Sequence, residues 1–398
     1  MTRSHDGDVL YAPPDDAPAA GAMYPRVERL DHDGASGETL LATFEHYASA
    51  DPDCTDPFAD EYDGSVPDDR PYFPVYRSTD GGETWEPFSA IRDTQNGWGL
   101  RYQPVLFELP QSVGPWDAGT ILAAGNSIPD DRSRTSIDVY ASEDGGRSWS
   151  HVSAVAEGGR AVPQADETPV WEPELALDAG GDLVCYFADE RHREGGYDQL
   201  VGHRRSVDGG QTWDEEVFDA AVPNGADRPG MPVVARLPDG RYVLTFEVVG
   251  PTHEGAIFVK TSPDGRDWGD PADLGSPVRT AEGHRLTNGP YVTWTPAGGS
   301  DGTVVASAKT LRTDDGEQAP GSGRTLLATA DFAEFADWSP VEAPLAFADE
   351  FDTGHGTVGW TTPLVPVAGG EELLQMTSTH VADGRCEIRY ASASLGLD

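Results

Sequence analysis

Two of the 69 acidic residues in this 398-residue chain are placed where an acid should not sit idle. Glu247 follows the run Tyr242-Val243-Leu244-Thr245-Phe246 and precedes Val248-Val249, so a carboxylate interrupts a segment that otherwise reads as core. Burying such a group without a partner or a task is costly. Glu172 lies between Trp171 and Pro173, neighbours that favour the neutral carboxyl and raise its pKa toward that of a general acid. Glu247 has Arg228 and Arg191 within reach to hold it ionised, and a neutral acid beside an ionised carboxylate is a proton-transfer pair. The competing reading is that each glutamate pairs with Arg191 or Arg228 and ties strand ends together.

The elements that must position this pair are set by a repeat. Ser78-Thr79-Asp80-Gly81-Gly82-Glu83-Thr84-Trp85, Ser142 to Trp149 and Ser206 to Trp213 share the pattern S-x-D-G-G-x-[ST]-W, Ser262 to Trp268 is one residue shorter, and Asp331 to Trp338 is an eroded fifth copy. The tryptophans recur about every 60 residues, too long an interval for a helical solenoid. Asp-Gly-Gly supplies a side-chain acceptor and the positive φ of a tight hairpin, and the tryptophan anchors a small β unit. The pattern resembles the Asp-box of sialidase-type propellers. Each interval reads as four short strands, so the expectation is an all-β, sialidase-like six-bladed β-propeller with four-stranded antiparallel blades. Residues 1–398 would form a single domain, with a strand near Val9-Leu10-Tyr11 completing the last blade beside Tyr390 and closing the ring.

Antiparallel alternation then assigns the faces. The start of each first strand and the end of each second strand lie opposite the boxes. That face receives Arg26 and Glu45-His46 from blade one, Arg101, Gln103 and Asn126 from blade two, and Glu172 with Asp189-Glu190-Arg191 from blade three. Arg228 and Glu247 come from blade four, Asn288 from blade five and His355 from blade six.

Composition excludes other classes. With 27 basic residues against 69 acidic, a net charge of −42 and only two lysines, the chain has no footprint for nucleic acid. No apolar run spans a bilayer, and the segment Met1 to Asp8 carries no secretory signal, so a cytoplasmic monomer with no membrane contact is expected. Cys54, Cys185 and Cys386 fit neither a zinc pattern nor a disulfide framework, and no metal or cofactor is expected. The acidity resembles that of proteins from salt-accumulating halophiles. The melting temperature should therefore rise between low salt and about 1 M, where the screening length falls to about 3 Å. A melting temperature flat across that range would overturn the halophile reading.

Trp171-Glu172-Pro173, Cys185-Tyr186-Phe187-Ala188-Asp189-Glu190-Arg191, Gln199-Leu200-Val201-Gly202-His203, Arg228-Pro229-Gly230-Met231 and Phe246-Glu247 together resemble the central signature of glycoside hydrolase family 93. Its members are six-bladed exo-α-1,5-L-arabinanases related to the sialidases. The resemblance is strongest from about Val170 to Val249 and fades beyond Thr310. It implies a carbohydrate substrate and retaining hydrolysis, with the catalytic glutamates on Glu172 and Glu247. Arg26, Asp189, Arg191, His203 and Arg228 would then be substrate-binding or pKa-tuning groups, and Trp98 or Trp116 a sugar-stacking platform. An exo-sialidase would need three arginines gripping a carboxylate and a tyrosine at a strand start where this sequence has none. A non-catalytic glycan- or protein-binding propeller would show a plugged channel or separated carboxylates.

Overall fold

The protein is described by a computed structural model covering residues 7–14, 21–34, 38–46, 70–163, 167–354, 356–381 and 385–397. Cys54 and His355 lie outside the described residues. Six antiparallel sheets form the blades of a β-propeller. Blade one pairs Ala22–Arg29, Leu40–His46, Phe73–Ser78 and Glu86–Ile91 in chain order, and blades two and three repeat that order. Blade four departs from it, because its outer strand Ser276–Pro277 is very short. Arg285–Thr287 and Thr310–Arg312 extend its sheet instead. Blade six begins at Leu364–Val367, since Gly359 and Thr361 turn the chain at positive φ before the strand can start. The predicted closure holds: Asp8–Tyr11 pairs with Cys386–Ala393, with Asp8 opposite Tyr390 and Val9 opposite Arg389.

The second strands Leu40–His46, Ile121–Ser127 and Leu183–Asp189 are buried at every position. Their runs are nearly continuous in apolar residues because each blade is covered on both faces by its neighbours. Six apolar clusters fill the six gaps between blades. Val105, Leu122 and Val139 of blade two, for example, meet Leu175, Leu183 and Phe187 of blade three. The boxes lock the same gaps from one side. Asp208 accepts from the Thr212 N–H at 2.9 Å and Gly210 N–H donates to Ser206 Oγ at 2.7 Å, while Trp213 Nε1 reaches back to Ser153 of the preceding blade at 2.9 Å. Trp149 does the same to Ser89 at 3.1 Å. In blade four the box residue Ser262 stands opposite Tyr242, whereas Glu247, at the other end of the same strand, stands opposite Gly230. Boxes and glutamates therefore occupy opposite faces, as the alternation requires.

Candidate active site

The rim of the channel is built by one device used six times. Tyr24, Gln103, Glu172, Met231, Asn288 and Thr361, one from each blade, carry φ values of 55°, 60°, 62°, 53°, 58° and 48° at or just before the innermost strand. In blades one to four this residue is followed by a proline (Pro25, Pro104, Pro173 and Pro232), and the strand register slips at that point. Proline is tolerated there because the innermost strand is a sheet edge and the position is a bulge, so no ladder hydrogen bond is lost. A non-glycine residue in this region costs on the order of 1–3 kcal/mol. The backbone turn is a property of the fold; the carboxylate at the third position is a property of this site.

Glu172 is fixed from two blades. Its Oε2 accepts the Met231 N–H at 2.6 Å, its Oε1 lies 3.5 Å from Gln103 Nε2, and its own N–H donates to Gln103 Oε1 at 3.0 Å. The carboxyl rests over Gly230, where a Cβ would come within 3.1 Å of Oε2. Glu247 is the cross-strand partner of Gly230, where a side chain would collide with Gln199 and crowd Glu172, and the charge of Glu247 reaches the Glu172 carboxyl. Glu247 is buried, and its Oε2 accepts from Gly289 N–H at 2.9 Å and Asn288 Nδ2 at 3.3 Å. Glu172 remains half-buried.

Burial, followed by the charge of Glu247, pushes Glu172 up to about 8, against the Met231 N–H and Arg228. Glu247 is also raised by burial, but Gly289, Asn288, Lys309 and Arg228 oppose that rise. Hydrogen bonds and cations thus favour the ionised form of Glu247, while burial and the charge of Glu247 favour the neutral form of Glu172. Trp171 is not what desolvates it. That ring turns into a separate cluster with Tyr102, Ile128, Ala161 and Ala188, and its Nε1 donates to Glu190 at 2.9 Å.

The other predicted site residues are mostly committed elsewhere. Arg228 lies in the first strand of blade four and bonds Glu190 at 2.7 Å and Asp198 at 2.9 Å. Arg191 pairs with Asp189 and with Glu216, so it does not hold Glu247 ionised. Asp189, His192 and Glu216 bring metal-ligand atoms within 4.8 Å of one another, but the guanidinium of Arg191 already bonds both carboxylates. His203 is removed from the pair altogether. It is buried in the third strand with Nδ1 on Asp219 at 2.8 Å, because the sheet places it two strands out from the channel. Trp116 belongs to the box face, where its Nε1 bonds Gly209 O at 2.7 Å, whereas Trp98 stays half-buried in the loop leading to the first strand of blade two.

Arg26 forms the floor. From blade one it crosses the channel to Glu174 of blade three at 3.0 Å, with its guanidinium 5.7 Å from the Tyr24 ring centre and 5.4 Å from that of Tyr291. Below it lies a cavity of about 390 Å³ reached by Glu28, Phe107, Leu177 and Arg236. Neither Glu172 nor Glu247 lines that cavity, and of the two Glu172 is the more exposed. Tyr24 is a residue that sequence reasoning passed over: a tyrosine does enter the channel, from blade one, where burial and then the charge of Glu172 raise its hydroxyl well above the ordinary value. Lys309 is a second. It follows Ser307 at the end of the second strand of blade five, a position the alternation rule assigns to this face.

Comparison with known proteins places this geometry among relatives. Residues 76–87 match the BNR/Asp-box repeat model. No curated protein matches the chain. Among solved structures, the α-L-arabinanase of Penicillium chrysogenum complexed with arabinobiose is 33% identical, with 98% of each chain covered and a TM-score of 0.79. The glycoside hydrolase family 93 α-L-arabinofuranosidase of Fusarium graminearum with arabinobiose is 30% identical over 98% of each chain, with a TM-score of 0.80.

Proposed function

Because the chain belongs to glycoside hydrolase family 93 and is a glycoside hydrolase, we propose that it releases arabinose from the ends of arabinan-type chains with retention. In this reading Glu172 is the acid/base and Glu247 the nucleophile. The observation that carries it is two carboxyls from adjacent blades, Glu172 over Gly230 and Glu247 opposite Gly230 in the sheet, near enough for the charge of Glu247 to raise Glu172. Retention needs carboxyl groups about 5–5.5 Å apart, so that one attacks the anomeric carbon and the other protonates the leaving oxygen and then activates water. Gly289 N–H and Asn288 hold Oε2 of Glu247, and Gln103 and the Met231 N–H fix the Glu172 carboxyl, whose proton is kept by burial and the charge of Glu247. Water then takes the place of the leaving group, gives its proton to Glu172 and frees the sugar from Glu247.

A neutral sugar is favoured over a sialic acid because the three candidate arginines are already neutralised: Arg26 by Glu174, Arg191 by Asp189 and Arg228 by Glu190. A site closed below by Arg26 suits a chain end, and both relatives above were solved with arabinobiose.

The test uses arabino-oligosaccharides and aryl arabinofuranosides in about 1 M salt. The first product should keep the α configuration by NMR; β product appearing first replaces retention with inversion. Activity on oligosaccharides should fall as pH rises past about 8, where Glu172 loses its proton. Glu172→Gln should lose about 10²–10⁴-fold on oligosaccharides but keep turnover on aryl glycosides whose leaving group needs no proton, and azide should accelerate that turnover. No azide effect and equal losses on both substrate types would exchange the roles or remove Glu172 from the mechanism.

A further inference from the structure

The chain has only two lysines, Lys260 and Lys309, and both are buried. In a sequence with 69 acidic residues and a net charge of −42, neither serves the surface. Lys260 caps backbone: its Nζ donates to Asp219 O at 2.8 Å and Asp270 O at 2.9 Å, away from the channel. Lys309 lies against the cradle of Glu247. Its N–H donates to Asn288 O at 2.9 Å, and Asn288 and Gly289 are the residues whose N–H groups grip Glu247 Oε2. A Cβ on Gly289 would stand 3.7 Å from Lys309 Cβ, and one on Gly359 3.3 Å from its Cγ, so the stem is packed between blades five and six. The ammonium donates to Gly356 O at 2.6 Å and to Glu350 at 3.0 Å, and it sits 4.0 Å from the ring centre of Trp360, which covers it.

We infer that Lys309 is a positioning residue for the reaction, a buried cation shielded by Trp360 and moderated by Glu350 that keeps Glu247 ionised and fixes the Asn288-Gly289 turn on which it rests. The inference depends on Glu247 being the nucleophile proposed above. Among the described residues, the charged and titratable groups facing Glu247 are Glu172 from blade three, Arg228 from its own blade, Tyr24 from blade one and Lys309 from blade five. Of the two cations, Arg228 is already neutralised by Glu190 and Asp198, whereas Lys309 meets one carboxylate, Glu350, which Arg312 also shares at 3.0 Å. Lys309 is therefore the cation with charge to spare for Glu247, and an opposite charge lowers a carboxyl pKa.

The direction follows from sign. Glu247 must be ionised to attack, so its protonation sets the acid limb of kcat/KM. Lys309→Met removes the cation and should move that limb to higher pH by about 1 unit or more, with Lys309→Arg restoring it in part. Glu350→Gln removes the moderating anion and should move the limb the opposite way, to lower pH. A structural role for Lys309 would lower activity or melting temperature in both variants without opposed shifts. The pH profiles are measured on an aryl arabinofuranoside alongside Glu247→Gln. If Glu247→Gln is inactive while the Lys309→Met and Glu350→Gln limbs stay where the unsubstituted protein has them, the role of Lys309 is overturned. If Glu247→Gln remains active, the assignment of the nucleophile falls instead, and the inference with it. Should Lys309→Met fail to fold, the shift in Glu350→Gln alone decides.

Discussion

Glu247→Gln is expected to lose turnover by a factor on the order of 10⁴ or more on every substrate, activated or not, while the protein folds as before. The amide keeps the shape of the side chain and offers its oxygen to the Gly289 N–H, so the geometry at the end of the strand survives. What it lacks is the negative charge that attacks the anomeric carbon, and no leaving group compensates for that. Stability should move the other way. Burial opposes the ionised form of Glu247, so a neutral isostere at this position should leave the melting temperature unchanged or raise it. Activity measured to a limit of 10⁻⁴ of the unsubstituted protein, together with thermal denaturation, checks both halves. Retention of more than a few per cent of activity would move the nucleophile to Glu174, Asp189 or Glu190. The structure holds each of those against an arginine, so a second substitution at Arg26, Arg191 or Arg228 would then identify which.

Arg26→Met should destabilise the protein by about 3–5 kcal/mol at neutral pH, the loss typical of removing one partner from a buried ion pair. Arg26 and Glu174 bond at 3.0 Å with side chains only 4% and 8% exposed. Burial raises the pKa of Glu174, and Arg26 is the main influence in the other direction. Without Arg26 the folded-state pKa of Glu174 rises further above its unfolded value. A carboxyl shifted upward penalises folding above the unfolded pKa, and the penalty fades as pH falls toward it. The deficit should accordingly be largest near neutral pH and small near pH 4. Arg26→Met combined with Glu174→Leu should recover most of the loss. Chemical denaturation at two pH values measures this, and a single variant within 1 kcal/mol of the parent at neutral pH would show that the pair does not hold the floor.

Most of the architecture is readable from local chemistry. The Asp-Gly-Gly turns with their tryptophans give blade number and box face, and strand alternation alone carries Glu172 and Glu247 to the opposite end. The dipeptides Tyr24-Pro25, Gln103-Pro104, Glu172-Pro173 and Met231-Pro232 hold a further signal, since a proline at a repeated position of an edge strand marks the bulge that aims a side chain into the channel. Partnerships across the ring are not readable in this way. Nothing local tells that Arg26 will meet Glu174 two blades away, that Arg191 will turn to Glu216, or that His203 will be spent on Asp219. Lys309 was within reach of the alternation rule, but only once the second strand of blade five is placed at Thr303–Ser307, and that blade has the most eroded box.

The pairing of Asp8–Tyr11 with Cys386–Ala393 also orders events in time. These segments stand nearly the whole chain apart, and bringing such distant ends together costs roughly 3 kcal/mol more in chain entropy than closing a short hairpin. A ribosome delivers the first segment long before its partner exists. Until then five blades can assemble through their packed faces, but the ring stays open, with the apolar faces of blades one and five turned to water. Docking of the last blade is thereby cast as the late and slow step of folding. The seal of the closed ring is therefore shared between a four-residue strand and the apolar cluster that joins the first and last blades.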